Sequence, residues 1–451
     1  MITRRIGFKW SRTSLIGAVA CGWLALASAG FGQAGSVMWT NEFGDYAYDE
    51  NTGAIVANAK TVFAVGSVVD ASWNYDWLVE AVDSGSGAVV WQSQFGVSNL
   101  LEDANAMATC GTRVFVTGYE DNETDSASDW ITCAYDTRSG ATLWTNQFAN
   151  SDGFNVPYTM AVDGSRVYVG GQAGLDFAVQ AYNGRNGALL WQDSVPAVVG
   201  PDGAMVVAAY RGNVYAAGYN YSGGLEYGWL VRAYDGRRGR VLWQDKFNTA
   251  GLDDMPTAVA VGNGKVYVVG SIEDAHTNTD WLVKAYDASN GHVVWQDRVD
   301  KSGGIDEASA VVVQGGSVYV AGISDVGGQG NPDDFHWLVR AYNGANGSLL
   351  WEDSARSVGG LTPPKSIALS GPTSLCVAGS VYTTQTGSDW LLRVYNAGTG
   401  ALSWENQYDR SGFEDDVYGM ATGPRSVCMF GLTTDAQTTL TDWMLRAYRM
   451  K

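Results

Sequence analysis

The chain has 451 residues with 57 Gly, 18 Trp and 23 Tyr but only 9 Pro and 3 His, and 46% of it is hydrophobic. Short aromatic runs punctuated by Gly exclude a helical domain and point to an all-β fold with a large core. The formal net charge of −19 predicts a surface that repels nucleic acid and anionic lipid.

Residues 1–34 read as an export leader. Arg4, Arg5, Lys9 and Arg12 form a positive region, Leu15 to Ala27 an apolar run, and small residues at Ala27-Ser28-Ala29 and Gly32-Gln33-Ala34 offer cleavage sites. The run is too short for a membrane span, and no later stretch approaches the roughly 18 apolar residues one needs. Without the leader, 24 basic residues face 47 acidic ones, a balance of −23. The reading is a mature domain over 36–451, without a transmembrane segment, in the periplasm or outside the cell.

From residue 36 onward the chain repeats itself. Trp39, Trp91, Trp144, Trp191, Trp243, Trp295, Trp351 and Trp404 recur at spacings of 52, 53, 47, 52, 52, 56 and 53. A second column holds Trp77, Trp130, Trp229, Trp281, Trp337, Trp390 and Trp443, with Phe177 in the remaining slot. Each unit contains four strand-like runs, A to D. In the fifth these are Thr257–Val261, the turn Gly262-Asn263-Gly264, Lys265–Gly270, Asp280–Tyr286 and His292–Val299. Such a meander is apolar on both faces, and stacking units around a ring buries both. The sequence opens with a lone D strand at Val37-Met38-Trp39-Thr40 and closes with a C strand, Asp442 to Tyr448, that lacks its D. The expectation is an eight-bladed β-propeller whose last blade is completed by the N-terminal strand, with the first Trp column docking blade on blade. The protein is read as a monomer.

The run Ala-Tyr-Asp, three residues, Gly, three residues, Trp carries a resemblance. Ala233-Tyr234-Asp235 with Gly239 and Trp243, and Ala285-Tyr286-Asp287 with Gly291 and Trp295, resemble the repeat of pyrroloquinoline-quinone-type propellers. That superfamily of quinoprotein alcohol dehydrogenase-like folds includes the dehydrogenases and a non-catalytic propeller lipoprotein of outer-membrane protein assembly. The segment from Asp306-Glu307-Ala308 to Gly322 is also similar to bacterial propeller repeats of surface proteins. The resemblance implies a fold, because the shared residues are those that stack blades. A dehydrogenase would also call for adjacent cysteines, calcium ligands and a catalytic Asp. No two cysteines adjoin here, and there is no Cys-x-x-Cys-His for haem.

Cys110 and Cys133 lie on strands two steps apart, about 9.5 Å, beyond the about 7 Å a disulfide spans. Cys376 and Cys428 occupy one slot in adjacent blades, so four buried, unbridged thiols are expected. His276, His292 and His336 lack zinc-ligand spacing. Where strand A begins stands the column Glu50, Glu102, Asn155, Asp202, Asp254, Asp306, Pro363 and Asp415. Its six acids are read as a ring near one channel mouth, either capping loops or holding a cation such as Ca²⁺. No other cofactor is expected. A second column, Asp76, Asp129, Asp176, Gly228, Asp280, His336, Asp389 and Asp442, opens strand C. Arg232, Lys284, Arg340, Arg393 and Arg446 are read as ion-pairing with Asp193, Asp245, Asp297 and Asp353 at blade margins.

The D–A and B–C loops vary and share one face. Blade 6 carries the longest, Ser324 to Phe335, and blade 3 almost none, Gln172 to Leu175. The notch over blade 3 is the expected contact site. The leading reading is an exported, non-catalytic scaffold that binds a protein or glycan partner through this face, and not nucleic acid. The alternative is a pyrroloquinoline quinone-dependent dehydrogenase. A hydrolase using ring carboxylates is a third reading for which no pair stands out.

Overall fold

The computed structural model describes residues 33–450 apart from 44–50, 70–74, 97–101, 122–126, 150–152, 199, 222–226, 250–252, 275–277, 329–330, 332–333, 357–359, 361, 384, 411 and 436–440. The leader reading, Glu50 and His276 lie outside the described residues.

The described residues form eight four-stranded antiparallel sheets and no helix. Seven follow the chain as A-B-C-D. Blade 5, for example, runs Met255–Gly262, Lys265–Asp274, Asn278–Asp287 and Val293–Val299. The eighth takes its A, B and C strands from Asp415–Thr422, Ser426–Thr434 and Thr441–Arg449. Its D strand is Val37–Phe43 from the start of the chain, with Phe43 opposite Trp443 and Trp39 opposite Ala447.

The repeated tryptophans explain why the sheets stack. At seven seams the D-strand indole Nε1 donates to a carbonyl in the C–D turn of the next blade, at 2.9 to 3.2 Å. Trp243 shows the full arrangement. Its own blade presents Tyr215 to one side, and the next blade stacks Tyr286 on the other at 5.7 Å between centroids. Gly291 of that next turn lies on the indole with φ +77°, and a Cβ there would come within 2.6 Å of Trp243 Cδ2. Only a glycine combines that backbone with that approach. This accounts for both fixed letters of the repeat, the Gly of each turn and the Trp of the blade before it. At the closing seam Gly35, φ +82°, stands against Trp404, and its N–H donates to the Arg449 carbonyl at 2.8 Å. The N-terminal segment therefore supplies a strand and also the turn glycine that the eighth blade lacks.

The C-strand column is buried deeper, at 0–1% exposure. Trp130, Trp229, Trp337 and Trp390 each donate to a carbonyl of the following blade at 2.8 to 3.1 Å.

The ion pairs cross the seams. Asp193 in blade 3 meets Arg232 of blade 4 at 2.6 Å, Asp245 meets Lys284 at 2.9 Å, Asp297 meets Arg340 at 2.9 Å and Asp353 meets Arg393 at 3.7 Å. In each case the tyrosine two residues past the cation donates its hydroxyl to the same carboxylate. The fifth expected cation, Arg446, instead faces Asn406 at the seam of blades 7 and 8 and donates to Thr40 Oγ1 and the Tyr448 hydroxyl at 3.0 Å. At three other seams both partners change together: Asn41 with Glu80, Ser93 with Cys133, and Asn146 with Gln180. The ring thus has an ionic arc and a neutral arc.

Glu80 sits in that neutral arc at 0% exposure, with one bond from Gln92 at 3.3 Å. Burial pushes its carboxyl up to about 8. An unfolded chain gives up this proton near the ordinary carboxylate value, so stability falls as pH rises from about 4.5 through about 8. Every tenfold difference in proton affinity between the folded and unfolded chain corresponds to about 1.4 kcal/mol. Glu80→Gln is expected to leave the melting temperature unchanged at pH 5 and to raise it by a few degrees at pH 9. Equal melting of both proteins across that range, followed by circular dichroism, would remove this buried acid from the account.

Candidate functional site

The sequence places the acidic column in a ring near one channel mouth, capping loops or holding a cation. Its five described acids, Glu102, Asp202, Asp254, Asp306 and Asp415, are all 0% exposed, as is Asn155. Asp254 and Asp415 turn inward because each ties two loops together. Asp254 accepts the Thr249 N–H and hydroxyl at 2.6 and 2.7 Å from the D–A loop, and the Glu273 N–H at 3.1 Å from the B–C end. Asp415 repeats this with Arg410 N at 2.7 Å and Thr434 N at 3.0 Å. Asp202 takes the Tyr221 N–H at 2.6 Å, and Asp306 takes the Lys301 N–H at 2.6 Å. The neutral Asn155 does the same work through Gly174 N at 3.0 Å. Burial raises the carboxyls of Asp306 and Asp415 to about 6, against these hydrogen bonds, which lower them. The second column bonds across to its own D strand, as in Asp129 with Gln147 at 2.8 Å and Asp176 with Ser194 at 2.6 Å.

At one seam the two columns converge. Oxygens of Asp280, Asp300 and Asp306 lie within 4.8 Å of one another between blades 5 and 6. Asp280 is also bound by Arg298, and Asp300 accepts the Gly303 N–H at 2.8 Å. The cluster therefore sets three carboxylates against one guanidinium.

Among the described cysteines none forms a disulfide. Cys133, Cys376 and Cys428 are buried as expected, but Cys110 is only partly so. It ends strand A at the surface, and its thiol approaches the Gly164 carbonyl at 3.3 Å. His336 pairs with Ser354 at 3.0 Å, and His292 stands in a C–D turn.

The notch over blade 3 has a defined floor. Strands Arg166–Ala173 and Asp176–Asn183 are joined only by Gly174 and Leu175. The recess beside them, about 270 Å³, is bounded by Phe148 and Ala149 of blade 2 and by Ala178, Gln180, Gln192 and Ser194 of blade 3. Ala178 creates it. The residue after the C-strand aromatic is Leu78, Ile131, Leu230, Leu282, Leu338, Leu391 or Met444 in the other blades. Here a methyl group stands where a butyl-sized side chain fills the seam elsewhere. Gln180 likewise replaces the cation of the ionic arc. Ala178 packs with Tyr182, Trp130 and Trp144, so the recess lies at the seam of blades 2 and 3. The loop lengths led to this place in the sequence. The Ala178 departure from its column was there to be read and was missed.

Comparison with known proteins bears on the fold more than on the recess. No curated protein sequence matches the chain. Among solved structures, the quinohemoprotein alcohol dehydrogenase of Comamonas testosteroni is similar at 13% identity and a TM-score of 0.56, over 92% of this chain and 76% of that one. A europium-containing methanol dehydrogenase gives the same identity and score over 92% and 93%. The quinohemoprotein alcohol dehydrogenase ADHIIG of Pseudomonas putida HK5 follows at 11% and 0.54, over 92% and 76%. At these identities the likeness is one of fold. No described helix is long and apolar enough to cross a membrane. The family model described as outer membrane protein assembly factor BamB matches residues 28–225 and 228–420, most of the sequence. The chain belongs to this family of quinoprotein-like β-propellers.

Proposed function

We propose that this protein is an exported, non-catalytic scaffold that binds a protein or glycan partner on its loop face, with the recess at the seam of blades 2 and 3 as the point of contact. The observation that carries the reading is Ala178, whose small side chain opens an otherwise filled position. Two glutamines, a serine and Asp193, whose carboxylate is paired with Arg232, line the recess together with Phe148 and alanines. Amide and hydroxyl groups above an apolar base suit a peptide side chain or a single sugar ring. At about 270 Å³ the recess falls below the roughly 300–1,000 Å³ of sites that enclose a cofactor-sized ligand. The family's name, an assembly factor, favours a protein partner.

The alternative, a pyrroloquinoline quinone-dependent dehydrogenase, draws on the likeness to dehydrogenase structures alone. The donor set does not favour it. No two cysteines adjoin, and four of the five described column acids accept backbone N–H bonds. Stoichiometric quinone binding with Ca²⁺, read as a new visible absorption band with dye reduction, would overturn the scaffold reading in its favour.

A cation reading of the acidic column narrows to Asp306 with Asp280 and Asp300. Calorimetric titration of chelator-treated protein with Ca²⁺ tests it: one-site heat supports Ca²⁺ binding there, and no heat ends it. The recess has a sharper test. Ala178→Leu restores the residue the repeat calls for. It is expected to leave melting unchanged or raise it by about 1 kcal/mol in stability, and to weaken binding to envelope proteins or arrayed glycans at least tenfold. Undiminished binding by this variant would contradict the proposal.

A further inference from the structure

The two faces of the propeller carry opposite charge. The A–B and C–D turns, with the strand residue on either side of each, hold 12 basic and 5 acidic residues among those described. The other 42 acids of the sequence fall outside these turns. The positive charge concentrates on one arc. Blade 2 contributes Arg113 and Arg138, and blade 3 contributes Arg166 and Arg185. Blade 4 adds Arg211 and the run Arg237, Arg238 and Arg240.

Against these eight stand three acids, and all three are engaged in the turns. Asp136 accepts the N–H groups of Arg138 and Ser139 at 3.0 Å, Asp235 those of Arg237 and Arg238 at 2.9 and 3.2 Å, and Asp163 that of Gly212 at 2.6 Å. Six of the eight arginines are exposed, and Arg113 and Arg166 are partly buried. Arg238 makes one long pair with Asp235 at 3.5 Å while 71% exposed. The Nε atoms of Arg113 and Arg166 are buried without a hydrogen-bond partner. Arg211 occupies a left-handed position, φ 50°, where five sister turns place Gly or Asn. An arginine there costs about 1 kcal/mol of backbone strain, and no turn geometry requires it.

Two further features shape this surface. A shallow recess of about 280 Å³ at the seam of blades 2 and 3 is lined by Arg113, Arg185, Ser165 and Cys110. Beside the arc the outer strands expose Leu143, Leu189 and Leu190 at 43 to 46%. Arginines flanked by exposed aliphatic side chains on a face of uniformly short turns match a planar, anionic, partly apolar surface. The molecule's overall negative charge does not prevent this. Strands of seven to nine residues separate the two faces by about 25 Å, several times the roughly 8 Å Debye length at physiological ionic strength.

We propose that the turn face of blades 2–4 docks on a membrane surface bearing phosphate headgroups, with the arginines on the phosphates and the leucines at the apolar boundary. It lies opposite the loop face, so neither proposal depends on the other.

The test is sedimentation of mature protein with vesicles of phosphatidylcholine alone or doped with phosphatidylglycerol. Binding is expected only with phosphatidylglycerol and is expected to weaken in high salt. The double variant Arg185→Glu/Arg237→Glu reverses two exposed side chains, and should bind at least about tenfold more weakly. Lys365→Glu, an exposed reversal on the opposite face, should bind as the parent does. Absence of binding to the doped vesicles overturns the proposal, and so does equal loss in the Lys365 variant. Binding to heparin or RNA without vesicle binding would replace the membrane with a soluble polyanion and likewise overturn it.

Discussion

Each blade is apolar on both faces, and a four-stranded sheet of that kind has no stable existence in water by itself. What makes the ring possible is an indole from one blade held beneath a turn of the next. The ring nitrogen donates to a turn carbonyl, while the turn's glycine lets backbone and indole meet at van der Waals distance. The contact is directional, because the D strand always reaches forward to the following blade. A directional contact between identical units continues until it closes or runs out of chain. Here it closes at Gly35 and Trp404, and the strand Val37–Phe43 covers what would be an open sheet edge.

Within that constraint the blades are free to differ, and their differences are informative. Seams 3/4 to 6/7 are cross-linked by a carboxylate, a cation and a tyrosine hydroxyl. At three seams acid and cation are both absent, whereas at the seam of blades 7 and 8 Arg446 remains, faces Asn406 and lies on the Tyr408 ring. Leaving either charge alone in a buried position would cost several kcal/mol. Glu80 stands where the ionic seams carry their cation, and burial holds its proton on. The neutral arc also contains the seam with Ala178, so looser packing and absent ion pairs coincide where the recess opens.

The architecture was legible in the sequence because two Trp columns and a turn Gly are punctuation that a repeat cannot vary. Blade count, strand order and closure by the N-terminal strand follow from their spacing. The acidic column was legible as a column, and loop capping was one of the two roles its position offered. A run of Asp at a loop end reads as a backbone cap or as a cation site. Only the positions of Thr249 and Glu273 around Asp254 decide, and these come from different loops. Cys110 was expected to be buried like the other three, but it ends its strand at the surface. Net charge was the least reliable guide. A total of −19 describes neither the arginine-bearing turns nor the acids elsewhere, since the two faces lie farther apart than salt allows charges to feel one another.

The central claim is that the N-terminal strand is an integral member of the ring and not an appendage to it. Native-state hydrogen exchange followed by mass spectrometry measures this directly. The account predicts that the amides of Val37–Phe43 exchange with the same protection as those of Thr441–Arg449, opening only when the whole ring opens. Rapid exchange of Val37–Phe43 beside a fully protected Thr441–Arg449 would contradict it.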